Sequence, residues 1–183
     1  MTTASWLAVL SSAVLRLAYF VYLSKSLLEA KAGASGHLRY GVFKHRISTL
    51  QTLDGIAFIA TCVASSKTLD LGIGLPYTIL AGTLLAAIGI GTKAWAVACL
   101  GLESYTWRDF FVPNPDFVPS RSGPYRWFKD PMYTIGYLQV YGISLVTLSL
   151  PGMVLGLFMQ GSMLVVGHTI EKSHLSNLEL AKR

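Results

Sequence analysis

Apolar residues gather into five blocks separated by shorter polar segments, running from about residues 4 to 28, 50 to 65, 71 to 100, 132 to 150 and 152 to 168. Each approaches the ~20 residues that carry an α-helix across ~30 Å of hydrocarbon. The second block is the shortest and carries Asp54. Pro151-Gly152 interrupts the last apolar stretch, and such a pair does not continue a helix. The last two blocks are therefore predicted to form a tight helical hairpin. Met1 to Ser5 carry no positive charge, and the first block is longer than the apolar part of a signal peptide; it is predicted to be a retained helix. The pattern predicts an all-α fold, a polytopic membrane bundle of about five transmembrane helices ending in that hairpin. No repeat, low-complexity tract or linker divides residues 1–183, so one integral-membrane domain is expected.

Composition supports a bilayer setting. Hydrophobic residues make up 52% of the chain and charged residues 13%, with a mean hydropathy of +0.51; a soluble domain has about 25% charged residues. The net charge is +6, but nucleic-acid binding needs a soluble basic face, and here the positive residues sit between the apolar blocks. Lys31, Arg39, Lys44 and Arg46 follow the first block. Arg108, Arg121, Arg126 and Lys129 follow the third, and Lys172, Lys182 and Arg183 lie in the tail. The opposite side of a five-span chain holds Lys67 alone. This asymmetry places the long loop and the C-terminus in the cytoplasm and suits anionic headgroups there. Cys62 and Cys99 lie in apolar blocks with neither metal-site spacing nor a disulfide framework.

The segment from Gly101 to Pro131 concentrates candidate chemistry. It holds Tyr105, Trp107, Phe110, Phe111, Phe117, Tyr125, Trp127 and Phe128, with Pro113, Pro115, Pro119, Pro124 and Pro131. Such residues suit an interfacial anchoring belt, and long ordered loops also carry function. Asp130-Pro131 is predicted to open the fourth helix, whose free N–H groups would face an anionic group. Tyr133, Gly136, Tyr137 and Val140 share one face of that helix, with Gly136 permitting close approach. In the fifth block Gln160, Leu164, Gly167, His168 and Glu171 fall roughly on one stripe. Ionisable residues at such depth point to function, against a packed histidine and an interfacial carboxylate as the plain alternatives. His168 and His174 lack a third convergent ligand, so no metal is expected. Gly82, Gly89 and Gly91 read as close helix packing, because no strand precedes Gly-Ile-Gly. Arg16 and Asp54 are placed to neutralise each other within the bundle.

Gly123-Pro124-Tyr125-Arg126, Lys129-Asp130-Pro131-Met132-Tyr133 and Glu171-Lys172 together resemble the integral-membrane methyltransferase superfamily, which includes phospholipid N-methyltransferases and isoprenylcysteine carboxyl methyltransferases. The Pro-Met-Tyr segment is similar to the phosphatidylethanolamine methyltransferase version, and Lys93-Ala94-Trp95-Ala96 to the end of the family's preceding helix. Asp130 stands where the family has His or Asn, and Lys172 where it has a second Glu. The resemblance covers about residues 80 to 180. It implies an enzyme using S-adenosylmethionine, with residues 71–183 as its cofactor-binding and catalytic core and residues 1–70 as accompanying helices. It implies one cofactor wall of Tyr125, Lys129, Asp130, Pro131, Tyr133 and Gly136, and another of His168 and Glu171, with Tyr133 and His168 nearest the chemistry. A membrane phospholipid amine is the favoured acceptor. The alternatives are a prenylated cysteine carboxylate, an NADPH-dependent sterol or lipid reductase, and a non-catalytic lipid-binding protein.

Overall fold

The computed structural model describes residues 2–33, 35–112 and 122–174. Phe117, three of the loop prolines (Pro113, Pro115 and Pro119), Arg121, Lys182 and Arg183 lie outside the described residues. The chain forms α1 (Thr3–Lys31), α2 (His37–Ala64), α3 (Leu75–Leu100), two single turns α4 (Leu102–Tyr105) and α5 (Arg108–Phe111), then α6 (Leu138–Val146) and α7 (Leu150–Val166). No strand occurs among the described residues. Four helices are long and apolar enough to cross a membrane: Thr3–Lys31, His37–Ala64, Leu75–Leu100 and Leu150–His174. Their outward faces carry exposed apolar side chains such as Leu7, Val14, Leu80, Leu84, Val154 and Leu157, as a lipid-facing surface requires.

Two expectations need correction. The second helix starts at His37, not near residue 50. Tyr40, Phe43 and Ile47 are buried at helical spacing and pack it against the core, so Arg39, Lys44 and Arg46 belong to its exposed first turns rather than to a loop. The fourth crossing is not one helix from residue 132 to 150. Turns lead from Asp130 into a 3-10 segment at Ile135–Tyr137, and α6 itself has 9 residues. Pro131 therefore does not open an α-helix. The Gly136 N–H reaches back five residues to the Pro131 carbonyl at 2.8 Å, a wider turn than an α-helix makes. At the far end Leu148 takes a left-handed φ of 54° and Ser149 caps α7, accepting from the Gly152 N–H at 2.9 Å. The predicted hairpin is present, but its turn lies at Thr147–Ser149, and Pro151-Gly152 belongs to the first turn of α7, where proline is accepted.

The ends of the bundle sort as the charge pattern implied. At one end the Ser5 hydroxyl donates to the Ala64 carbonyl at 2.7 Å, and Lys67 and Leu69 pair with the α6–α7 turn. At the other, the Gly36 N–H donates to the Phe111 carbonyl at 2.8 Å, and the His174 ring stacks on Phe110 at 3.9 Å. The segments after α1 and after α3 and the end of α7 thus share one end.

Packing between α3 and α6 depends on missing side chains. A Cβ on Gly89 would lie 2.3 Å from the Gln139 nitrogen, and one on Gly142 would lie 2.4 Å from the Ala86 nitrogen. Helices in lipid associate through such small-residue contacts. Arg16 and Asp54, 3% and 2% exposed, pair at 3.1 Å inside the bundle, as the sequence suggested. The Arg16 guanidinium also donates to Ser162 Oγ at 2.8 and 3.0 Å, to the Met159 carbonyl at 2.6 Å and to the Tyr137 hydroxyl at 3.3 Å. This network ties α1 to α2, α7 and the start of α6.

Candidate functional site

The chemistry gathers at the basic end, around Glu171. Past Val166 the last helix widens into a π turn at Gly167–Glu171, a feature frequent at functional sites. The wider turn sets Glu171 over Gly167 rather than over His168. A Cβ on Gly167 would stand 3.9 Å from Glu171 Oε2 and 3.1 Å from the Tyr133 ring. The missing side chain leaves a cradle between these two residues.

Two donors hold one oxygen of Glu171. The Tyr133 hydroxyl donates to Oε1 at 2.6 Å, and the Trp107 indole N–H donates to the same atom. Oε2 accepts no hydrogen bond among the described residues. The carboxylate is thus anchored by one oxygen and available at the other. Trp107 reaches it from a left-handed backbone position, φ 54°, a conformation that costs a non-glycine residue ~1–3 kcal/mol and clusters at functional sites. Tyr133 is fixed from behind as well: the Gln160 amide donates to its carbonyl at 3.1 Å, and the Tyr141 hydroxyl donates to Gln160 Oε1 at 2.6 Å. Burial first, then the Glu171 carboxylate, holds the Tyr133 phenol well above its ordinary pKa, so it remains a donor at physiological pH.

The other predicted residues divide between wall and rim. Tyr125 lies in a 3-10 turn at Gly123–Arg126 and is half-buried. Its phenol is raised by burial first, then by the Glu171 and Asp130 carboxylates. Pro131 and Gly136 are buried. What lies against Gly136 is the Lys93 stem, since a Cβ there would stand 2.8 Å from Lys93 Cγ. Lys129, Asp130 and His168 are exposed. His168 has no polar contact with Tyr133 or Glu171 among the described residues, so the stripe read from an ideal helix splits at the π turn. Asp130 contributes its carbonyl, which accepts from Tyr133 and Thr134. No group of three potential metal ligands occurs among the described residues. The sequence did not single out Trp107 as the second anchor of Glu171; one of two tryptophans among eight aromatic residues carried no distinguishing signal.

The phospholipid methyltransferase family matches residues 77–178, more than half of the chain and all of this site. The chain belongs to that family. Among its relatives, the phosphatidylethanolamine N-methyltransferase of Clavispora lusitaniae is 24% identical over 147 residues, covering 75% of this chain and 17% of that protein. The enzyme of the same name from Meyerozyma guilliermondii is 27% identical over 103 residues, covering 55% of this chain and 12% of that protein. The chain therefore spans less than a fifth of the length of these curated relatives. No solved structure matches it. The family match takes in Tyr133, Gly167 and Glu171, whereas Tyr19 and Gln51, which reach the same end from α1 and α2, precede it.

Proposed function

We propose that this phospholipid methyltransferase moves a methyl group from S-adenosylmethionine to a lipid-borne amine such as that of phosphatidylethanolamine. The observation that carries the reading is the half-satisfied carboxylate of Glu171 beside the Gly167 cradle, within a family-matched segment. A carboxylate held at Oε1 and open at Oε2 suits the α-ammonium group of the cofactor, so the donor set fits. When bound, the cofactor supplies an electrophilic methyl group on a sulfonium. Tyr125, Tyr133, Gly167 and Glu171 form the walls, with Lys129 on the exposed rim where a cofactor carboxylate finds a cation and His168 beside it. Tyr133 and Trp107 hold the Glu171 carboxylate in place by one oxygen and aim the other. Methyl transfer to a neutral amine depends on alignment and exclusion of water more than on a strong base. The distribution of lysine and arginine supports a cytoplasmic position for this end.

The test supplies labelled S-adenosylmethionine with phosphatidylethanolamine or with a farnesylated cysteine, in separate reactions. Label is expected in the phospholipid. Label in the farnesylcysteine ester alone overturns the acceptor, and a thermal shift with NADPH but none with S-adenosylhomocysteine overturns methyl transfer itself.

A further inference from the structure

Beside the Glu171 carboxylate lies a small cavity lined by Tyr19, Gln51, Lys93, Tyr105, Trp107, Met132, Tyr133, Tyr137 and Met163. Five of these nine residues are aromatic. The volume is about 40 Å³, several times the ~10–15 Å³ that one water needs and far short of a nucleoside. The exposed Gln51 on its lining opens it to the outside, so it takes the polar end of a larger molecule.

Lys93 enters from α3, seven residues before that helix ends at Leu100, roughly 10 Å below the end at 1.5 Å per residue. Its ammonium lies 4.5 Å from the centre of the Tyr137 ring. It forms no salt bridge among the described residues. An ammonium has three donors, and a ring face satisfies its charge without accepting them all. Arg16, on the other side of Tyr137, is by contrast fully engaged by Asp54, Ser162, Tyr137 and the Met159 carbonyl. Lys93 is thus the cation with donors to spare. Around it stand the rings of Tyr105, Trp107 and Tyr133, whose negative faces can bind alkylated ammonium groups; the Tyr19 ring already holds the Arg16 guanidinium at 4.9 Å. Lys93 over Tyr137 already shows one such face holding a cation. Gln51, which is exposed, donates to the Tyr105 hydroxyl at 2.7 Å and marks the cavity's outer edge.

We infer that this cavity is the acceptor-headgroup site, in which Lys93 holds the phosphate of a zwitterionic phosphoammonium group and the aromatic rings hold its nitrogen. The inference rests on the methyl-transfer reading. A ring face binds a cation without using its N–H bonds, so a primary and a quaternary ammonium probe are both held.

The experiment uses the full chain in dodecyl maltoside with short-chain lipids as probes. Dihexanoylphosphatidylcholine and dihexanoylphosphatidylethanolamine should both bind and raise the thermal midpoint. Dihexanoylphosphatidylglycerol, which lacks the ammonium, should bind at least about fivefold more weakly, given the worth of a desolvated cation–π contact. Free phosphocholine separates headgroup from lipid recognition: binding comparable to the lipid's assigns the site to the soluble headgroup, and weaker binding assigns it to the lipid. Lys93→Met should lower affinity for the phosphatidylcholine probe about tenfold or more, and Lys93→Arg should restore most of it. Tyr105→Leu should weaken the choline probe severalfold while Tyr105→Phe does not. S-adenosylhomocysteine binding, measured on every variant, reports folding. If that ligand binds while the choline and glycerol probes bind equally, or while Lys93→Met binds the choline probe as wild type does, the headgroup site is overturned. If the lipid probes behave as expected and S-adenosylhomocysteine does not bind the wild type, the methyl-transfer reading fails and the headgroup site stands.

Discussion

Glu171→Gln separates the two oxygens of the carboxylate that centres the site. The substituted amide keeps an oxygen with two lone pairs, so the Trp107 indole and the Tyr133 hydroxyl, now 2.6 Å from Oε1, retain their acceptor. The local fold should survive. What changes is Oε2, which becomes an N–H₂ facing the Gly167 cradle. A donor there meets the cofactor's α-ammonium with a lost charged hydrogen bond, worth about 1.5–3 kcal/mol. At 1.4 kcal/mol per factor of ten, Kd for S-adenosylhomocysteine should rise roughly 10- to 100-fold. The control is 5′-methylthioadenosine, which has the nucleoside and sulfur but no amino-acid end; its affinity should stay within about twofold, since the lost bond is one it never made. Isothermal titration of both ligands against wild type and variant gives the four constants. Unchanged S-adenosylhomocysteine affinity would make Glu171 an interfacial charge. An equal loss for both ligands would show that the substitution disturbs the walls and not one contact, and either result refutes the assignment.

Other expectations follow from the same geometry. Arg16→Met strands the buried Asp54 carboxylate and should destabilise the fold by about 3–5 kcal/mol, whereas the Arg16→Met/Asp54→Leu double variant should recover part of that loss; unfolding in mixed micelles measures both. Gly89→Ala forces a Cβ to within 2.3 Å of the Gln139 backbone and Gly91→Ala meets nothing within 4 Å, so the first should cost about 1–3 kcal/mol and the second less than about 0.5 kcal/mol. Because burial and Glu171 hold the Tyr133 phenol well above its ordinary value, it stays protonated through neutral and mildly alkaline pH. The alkaline limb of the rate profile should therefore be the same for wild type and Tyr133→Phe, with the variant slower throughout.

The bundle was legible because period and charge speak for backbone and topology at once. The C-terminal hairpin, the Arg16–Asp54 pair and the gathering of basic segments at one end all follow from local chemistry along the chain. Two kinds of error have physical causes. Residues 37–49 are polar enough to hide a helix whose buried face is only Tyr40, Phe43 and Ile47, so an average over all positions missed what spacing contained. Around Pro131 and Gly167 the backbone departs from the α-helix, through a five-residue turn in one place and a π turn in the other. Arguments from ideal i, i+3 spacing joined His168 to Glu171, and the wider turn separates them. Tertiary donors also lie beyond any linear pattern: Trp107 is 64 residues from the carboxylate it holds.

The first two helices complete a site that lies mostly within the family-matched segment. Residues 77–178 contain the carboxylate, its two donors and Lys93, yet Tyr19 and Gln51 close the cavity beside them. Arg16 binds α1 to Tyr137, Met159 and Ser162 on the matched side and to Asp54 on α2. A buried guanidinium tolerates few arrangements, because each unsatisfied donor in an apolar interior costs free energy. The pair therefore fixes where α1 and α2 stand relative to α6 and α7, and with that the position of Tyr19 against the cavity. Tyr137 carries both relations, with its hydroxyl 3.3 Å from Arg16 and its ring 4.5 Å from the Lys93 ammonium. One cation is locked into the scaffold and the other is left facing the cavity, and a single phenol sets the distance between them.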